Sequence, residues 1–187
     1  YWHRAVAMIV YMNNHKNVTI TDIETGKFAQ DPMSLAEVEK AAAILESLPI
    51  YWHSVAGMPF EELIGVMRRW IKKHVGTDAN GNTNDCLVVY DYLKLMTSEA
   101  IGNNLAEFQV LGFQMTMLHN FSVHHDVPIA SFNQLKRHGI NREDTDVASG
   151  SDRIIWLCSN FSIFKNKSDE EKAEDGFEFG NRKMVPI

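Results

Sequence analysis

The sequence predicts an α/β fold, a largely parallel sheet flanked by helices, and three observations carry that expectation. The first is the run Cys86-Leu87-Val88-Val89-Tyr90-Asp91-Tyr92-Leu93-Lys94-Leu95-Met96, which opens apolar and β-branched and places a carboxylate between two aromatics. Its apolar part is too short for an ordinary helix and reads as a strand buried on both faces, as in parallel sheets. The second is that further strand-like runs alternate with helix-like ones along the chain. The third is size: 187 residues, 45% hydrophobic and 22% charged, suit one domain with a sizeable core, expected to span residues 1–187.

Taken in order, residues 2–12 carry apolar side chains on most faces and fit a buried helix, with Arg4 as an isolated charge. Val18-Thr19-Ile20 suits a strand or the approach to a helix, and residues 22–27 read as a polar turn. Asp31-Pro32 marks a break. Ser34 and Glu37 have capping-box spacing, so a helix is expected through Ser47, stopping before Pro49. Ile50-Tyr51-Trp52-His53 reads as a second strand. Residues 60–75 form the clearest amphipathic helix, with Leu63, Ile64, Met67, Ile71 and Val75 at helical spacing. Its Arg68, Arg69, Lys72 and Lys73 suit a solvated C-terminal half, where cations complement the helix dipole.

A Gly/Asn/Asp/Thr loop over residues 76–85 leads into the central strand. Residues 97–104 are polar, and residues 105–126 read as a long helix using Leu105, Phe108, Leu111, Met115 and Leu118. Residues 127–132 form the next strand, with Pro128 near its start, where a missing donor is tolerated. Residues 133–150 are polar and contain Lys136, Arg137, His138 and Arg142. Residues 153–158 read as a further strand, residues 168–175 as a charged flexible stretch, and residues 177–187 as a hairpin cut off in mid-element. The absence of an initiator Met at Tyr1, inside an apparent helix, points to a fragment of a longer product.

Composition excludes some classes. No apolar run approaches the roughly 20 residues of a membrane-spanning helix, and no signal-peptide pattern opens the chain. The only cysteines, Cys86 and Cys158, lie in apolar runs and suit buried thiols in a reducing cytoplasm. A net charge of −6 offers no global argument for nucleic-acid binding, so any such contact needs a local basic patch. His124-His125-Asp126 fits a helix end before Pro128 better than a metal site, since the other histidines form no ligand spacing with it or with the cysteines. Ser131 has no evident His/Asp constellation for nucleophilic hydrolysis.

Asp91 falls where its strand stops, and ligands of open α/β sheets bind beyond the carboxyl ends of the strands. A carboxylate there suits a Mg²⁺ held through its water shell, the Walker B role of nucleotide hydrolases. The plainer reading of the same pattern is a strand followed by a solvated Asp.

The order of three strand ends narrows this choice. Val88-Val89-Tyr90-Asp91-Tyr92-Leu93-Lys94-Leu95-Met96, then Ile129-Ala130-Ser131-Phe132-Asn133-Gln134-Leu135-Lys136-Arg137, then Ala148-Ser149-Gly150-Ser151-Asp152-Arg153-Ile154-Ile155-Trp156-Leu157 resemble successive motifs of one family. It is the RecA-like ATPase core of DnaB-type replicative helicases, especially phage-encoded ones. The first matches the family's Asp-Tyr-Leu-Gln-Leu-Met segment, with Lys94 in place of Gln. The second matches its Ser-Gln-Leu-Asn-Arg strand end, with Asn133 before Gln134 where Ser is usual.

The resemblance implies a RecA-like core, incomplete at both ends, that binds ATP and Mg²⁺ between the subunits of a ring, a hexamer in this family. It implies Asp91 as the metal-side carboxylate and Gln134 as a sensor of the γ-phosphate, since an amide can donate to phosphate and accept from water. The alternative for Gln134 is a strand-end amide bonded to backbone. It implies that residues 97–104 and 136–150 face single-stranded DNA in the channel, with Lys136, Arg137 and Arg142 on phosphates. The alternative is two solvated loops. Gly180-Asn181-Arg182-Lys183 resembles the approach to the family's arginine finger, with Lys183 as its basic companion. A primase partner and a host-cytoplasm location come with the family.

The phosphate-cradling pattern G-x-x-x-x-G-K-[ST] does not occur in the 187 residues. Two other functions therefore stay open: a recombinase or clock-type ATPase on the same core, and a non-catalytic RecA-fold assembly or loader module.

Overall fold

The computed structural model describes residues 2–13, 18–93, 107–134, 152–176 and 179–187, with side chains at 107, 152 and 153 left aside. The chain divides into two compact units, Tyr1–Ser54 and Val55–Ile187.

The first unit is helical. Helix α1 (Trp2–Met12) buries Val6, Ala7 and Val10. Helix α2 (Ile20–Thr25) occupies what reads in sequence as a strand approach and a polar turn. Thr19 and Asp22 make a reciprocal capping box there: the Asp22 N–H donates to the Thr19 hydroxyl at 3.2 Å, and the Thr19 N–H donates to the Asp22 carboxylate at 2.9 Å. Two orphan donors of the first turn are thus satisfied. Gly26, at φ 75°, closes the helix in the left-handed region that a Cβ disfavours.

Helix α3 (Pro32–Ser47) ends where expected, but its cap is Asp31 rather than Ser34. Pro32 at the first helical position fixes φ and holds the preceding Asp31 extended, so its carboxylate accepts the Ser34 N–H at 2.9 Å. Val38, Ala41 and Leu45 of α3 join Val6, Val10 and Ile23 in the core of this unit.

Ile50-Tyr51-Trp52-His53 has no strand structure, and Ile50, Tyr51 and Trp52 are exposed. A run of aromatic and β-branched residues has strand propensity only where a partner strand and a buried face exist.

In the second unit, helix α4 (Phe60–Trp70) turns into a π-type turn over Ile71–Val75, which closes with the Gly76 N–H donating to the Ile71 carbonyl at 2.8 Å. The Asn84 amide donates to the Val75 carbonyl at 2.9 Å and ties the following loop to the helix end. Strand β1 (Val88–Tyr90) follows, then helix α5 (Glu107–His125) and strand β2 (Ile129–Ser131). β1 and β2 pair in parallel, Val88 with Ile129 and Tyr90 with Ser131, as the fold class requires.

Helices α4 and α5 cover one face of this pair. Phe60, Leu63, Ile64 and Met67 of α4 and Leu111, Leu118 and Phe121 of α5 close over Tyr90 and Leu93. Phe60 is fully buried and meets Tyr90 edge-on, with ring centroids 6.2 Å apart. Burial of one such side chain contributes about 1.5–3 kcal/mol.

Residues 153–158, expected as a strand, belong to helix α6 (Asp152–Leu157). It buries Ile154 in the same core, leaves Trp156 exposed, and offers the Leu157 carbonyl to His119 Nδ1 at 3.0 Å. A six-residue apolar run fits a strand or a short helix equally, and only its neighbours decide.

Strand β3 (Ser162–Asn166) was not legible as a strand in the sequence, and the expected flexible stretch after it is helix α7 (Asp169–Asp175). Ser168 and Glu171 form its capping box, at 3.2 and 2.8 Å. The expected C-terminal hairpin is instead one strand, β4 (Arg182–Pro186), paired antiparallel to β3 from Ser162–Pro186 to Asn166–Arg182. The described strands thus form two two-stranded sheets, one parallel and one antiparallel. Among the described residues no helix is long and apolar enough to cross a membrane.

Candidate functional site

The parallel register decides where the expected site residues go. Tyr90 and Ser131 are the last residues of their strands and lie side by side, so Asp91 and Gln134 both leave the sheet at the same carboxyl edge. The Ser131 hydroxyl donates to the Tyr90 carbonyl at 3.2 Å and holds the two strand ends together.

The ladder carries an extra residue on the β1 side just there. The Val88 N–H donates to the Pro128 carbonyl at 3.1 Å, and in a regular parallel ladder every second residue repeats the step, which would give Tyr92 to Phe132. The donor to Phe132 is instead Leu93, at 2.8 Å. One residue of the Asp91–Tyr92 pair is therefore bulged out of register, and the peptide bond joining the pair is cis.

A bulge re-aims side chains. Leu93 takes the core position, 3% exposed, while Tyr92 is 39% exposed and Asp91 is exposed beside it. Sequence reading found Asp91 but not Tyr92 as a surface group of the same edge; strict alternation would have buried Tyr92 beneath it.

Gln134 is exposed, and its backbone N–H donates to the Asn133 side-chain oxygen at 2.9 Å. That short local turn lifts the chain away from the sheet immediately after β2. Beneath the edge the environment is apolar: burial raises the Tyr90 hydroxyl above its ordinary pKa, and burial, with Asp85 adding to it, does the same to the Cys86 thiol. Both stay neutral, so Asp91 supplies the charge at this end of β1.

An exposed carboxylate and an exposed amide on adjacent strand ends could hold a hydrated divalent cation and contact a phosphate oxygen. The residues fit that half of a nucleotide site. The glycine-rich amide cradle and lysine for the phosphates are not in the sequence.

Lys183 stands on the other sheet. It is half-buried on β4, and its Nζ donates to the Glu171 carboxylate of α7 at 2.6 Å. Lys167, which follows β3, is buried, paired with Asp175, and donates to the Phe179 carbonyl at 3.3 Å. The two lysines fasten α7 to the antiparallel pair. Lys136, Arg137 and Arg142, and the expected channel-facing loops at 97–104 and 136–150, lie outside the described residues.

Two solved structures resemble this chain over almost its whole length. One is a DnaB-like replicative helicase, described with its interactions with primase: TM-score 0.70, 14% identity, 94% of this chain and 40% of that one. The other is a helicase ATPase domain: TM-score 0.73, 14% identity, 99% of this chain and 61% of that one. This chain therefore has the fold of a large part of a helicase ATPase domain and spans less than two thirds of either neighbour. No protein-family model and no curated protein sequence matches it.

Proposed function

We propose that this chain is part of the RecA-like motor domain of a DnaB-type, phage-like replicative DNA helicase, in which both compact units belong to one ATPase domain. The observation that carries the proposal is the placement of Asp91 and Gln134, exposed and adjacent, at the carboxyl edge of the parallel pair. The similarity of the fold to two helicase structures, extending over 94% and 99% of the chain, supports it.

In this reading Asp91 is the Walker B carboxylate and orients the water shell of Mg²⁺, and Gln134 contacts the γ-phosphate and transmits its presence to the following segment. Bound Mg²⁺–ATP would supply the phosphoanhydride bond and the metal's charge. The bulge at Asp91–Tyr92 keeps the carboxylate outside the apolar core, where it stays hydrated. Lys183, held by Glu171, faces the nucleotide site of the next subunit in a homo-oligomeric ring, a hexamer. Lys136, Arg137 and Arg142 neutralise phosphates of single-stranded DNA, so their loss lowers both affinity and its salt dependence. Primase is the proposed partner, and the host cytoplasm the proposed location.

The missing phosphate cradle makes this fragment inactive alone and favours one second reading, a RecA-fold module that assembles with or loads a catalytic helicase. ATP hydrolysis by the full protein, with and without single-stranded DNA and beside Asp91→Asn, separates the two. DNA-stimulated turnover that falls by about a hundredfold or more in the variant supports the motor. A folded full-length protein that neither binds nor hydrolyses nucleotide overturns it.

A further inference from the structure

Helices α4 and α5 both run from the carboxyl edge of the parallel pair to its amino edge. Phe60, at the start of α4, packs on Tyr90 at the end of β1, and His125, at the end of α5, lies four residues before β2 begins. Their C-terminal halves therefore meet on the opposite side from Asp91 and Gln134. A groove of about 600 Å³ lies between them. Its floor includes Ile64 and Phe121, and Val123 opens onto it with 68% of its surface exposed.

The walls are basic: Arg68 from α4, and His124 and His125 from α5. No Asp or Glu is among the described residues that line the groove, in a chain whose net charge is −6. The rings of His124 and His125 meet edge-on at 4.8 Å, and Phe121 covers the other side of His125 at 4.5 Å. The His125 Nε2 atom is buried and has no hydrogen-bond partner. A buried polar atom left unmade costs about 1–3 kcal/mol, and a ring N–H is a ready donor to a carboxylate.

From this juxtaposition we propose that the α4–α5 groove docks an acidic amphipathic segment of a partner protein, its apolar face on Ile64, Phe121 and Val123 and its carboxylates on Arg68 and the two histidines. The apolar floor decides between anionic partners. A nucleic-acid backbone would satisfy the basic walls and leave Val123 in water, whereas a segment with both faces covers floor and walls together. The placement leaves the Asp91–Gln134 edge free, so docking and nucleotide chemistry are compatible, and the inference does not rest on the helicase reading.

The test is fluorescence anisotropy on the full protein with a labelled helical peptide carrying Leu on one face and Glu on the other. Controls are a scrambled peptide of the same composition and a labelled single-stranded oligonucleotide. Val123→Glu and Arg68→Glu are both at exposed positions and are checked for unchanged thermal unfolding. Binding of the segregated peptide that weakens about tenfold in each variant, with the scrambled peptide at least about tenfold weaker on the wild type, supports the proposal. Equal binding of both peptides, insensitivity to either variant, or displacement of the peptide by the oligonucleotide overturns it. So does concentration-dependent self-association abolished by Arg68→Glu, which would make a second copy the occupant.

Discussion

Leu93 donates its backbone N–H to the Phe132 carbonyl at 2.8 Å, one residue later than an unbroken parallel ladder would have it. That displacement buries Leu93 and leaves Asp91 and Tyr92 outside the core. The candidate carboxylate thus owes its exposure to a neighbour's burial.

Leu93→Ala should cost about 2–4 kcal/mol of unfolding free energy, because the side chain is 3% exposed and its removal leaves a cavity among Tyr90, Leu111 and the α4 residues. Urea unfolding followed by circular dichroism measures it. A loss below about 1 kcal/mol would mean that Leu93 does not anchor the bulge.

Ser131→Ala should cost about 0.5–1.5 kcal/mol, the ordinary net worth of one hydrogen bond, by freeing the Tyr90 carbonyl. Amide exchange at the β1–β2 pair should quicken in the variant, while exchange in α7 stays as it was.

Ser168→Ala and Thr19→Ala should each cost about 1 kcal/mol through loss of a helix cap. The two caps belong to different units, so exchange measurements should localise the first loss to α7 and the second to α2.

Acidification should destabilise the second unit through His125. Burial first, then His124 and Arg68, holds its ring below the ordinary histidine pKa of about 6.5. A base whose folded pKa is depressed favours the neutral form, so its contribution is fully present above about 6.5 and is lost as pH falls through the lower folded value. Asp22, Asp31 and Asp169 are lowered from 3.8 and titrate below that window. His125→Gln should flatten the fall of Tm between about pH 7 and pH 5. An unchanged slope would exclude His125 as its source.

Lys183→Met should change stability by no more than about 1 kcal/mol, since its ion pair with Glu171 is partly solvated. In the proposed ring the same change lowers ATP turnover of the assembled protein far more than its stability. Equal turnover in wild type and variant would remove Lys183 from the site.

Elements whose signals are local could be read from the chain alone. The apolar spacing of Leu63, Ile64, Met67 and Ile71 specified α4, Pro49 followed the end of α3, and the run before Asp91 specified a parallel strand. The order of strand ends also pointed to Asp91 and Gln134 together, and the register places both at one edge. Some local signals were present and went unread: Ser168 and Glu171, and Thr19 and Asp22, have capping-box spacing, yet their segments read as flexible chain and turn because few apolar residues accompany them.

Other features came from contacts between distant segments. Residues 153–158 became a helix because Ile154 is buried against α5, and Ile50 to His53 stayed irregular for want of a partner strand. The bulge at Asp91–Tyr92 and the pairing of β3 with β4 join residues far apart in the chain. Their energies come from contacts that no spacing within one segment encodes.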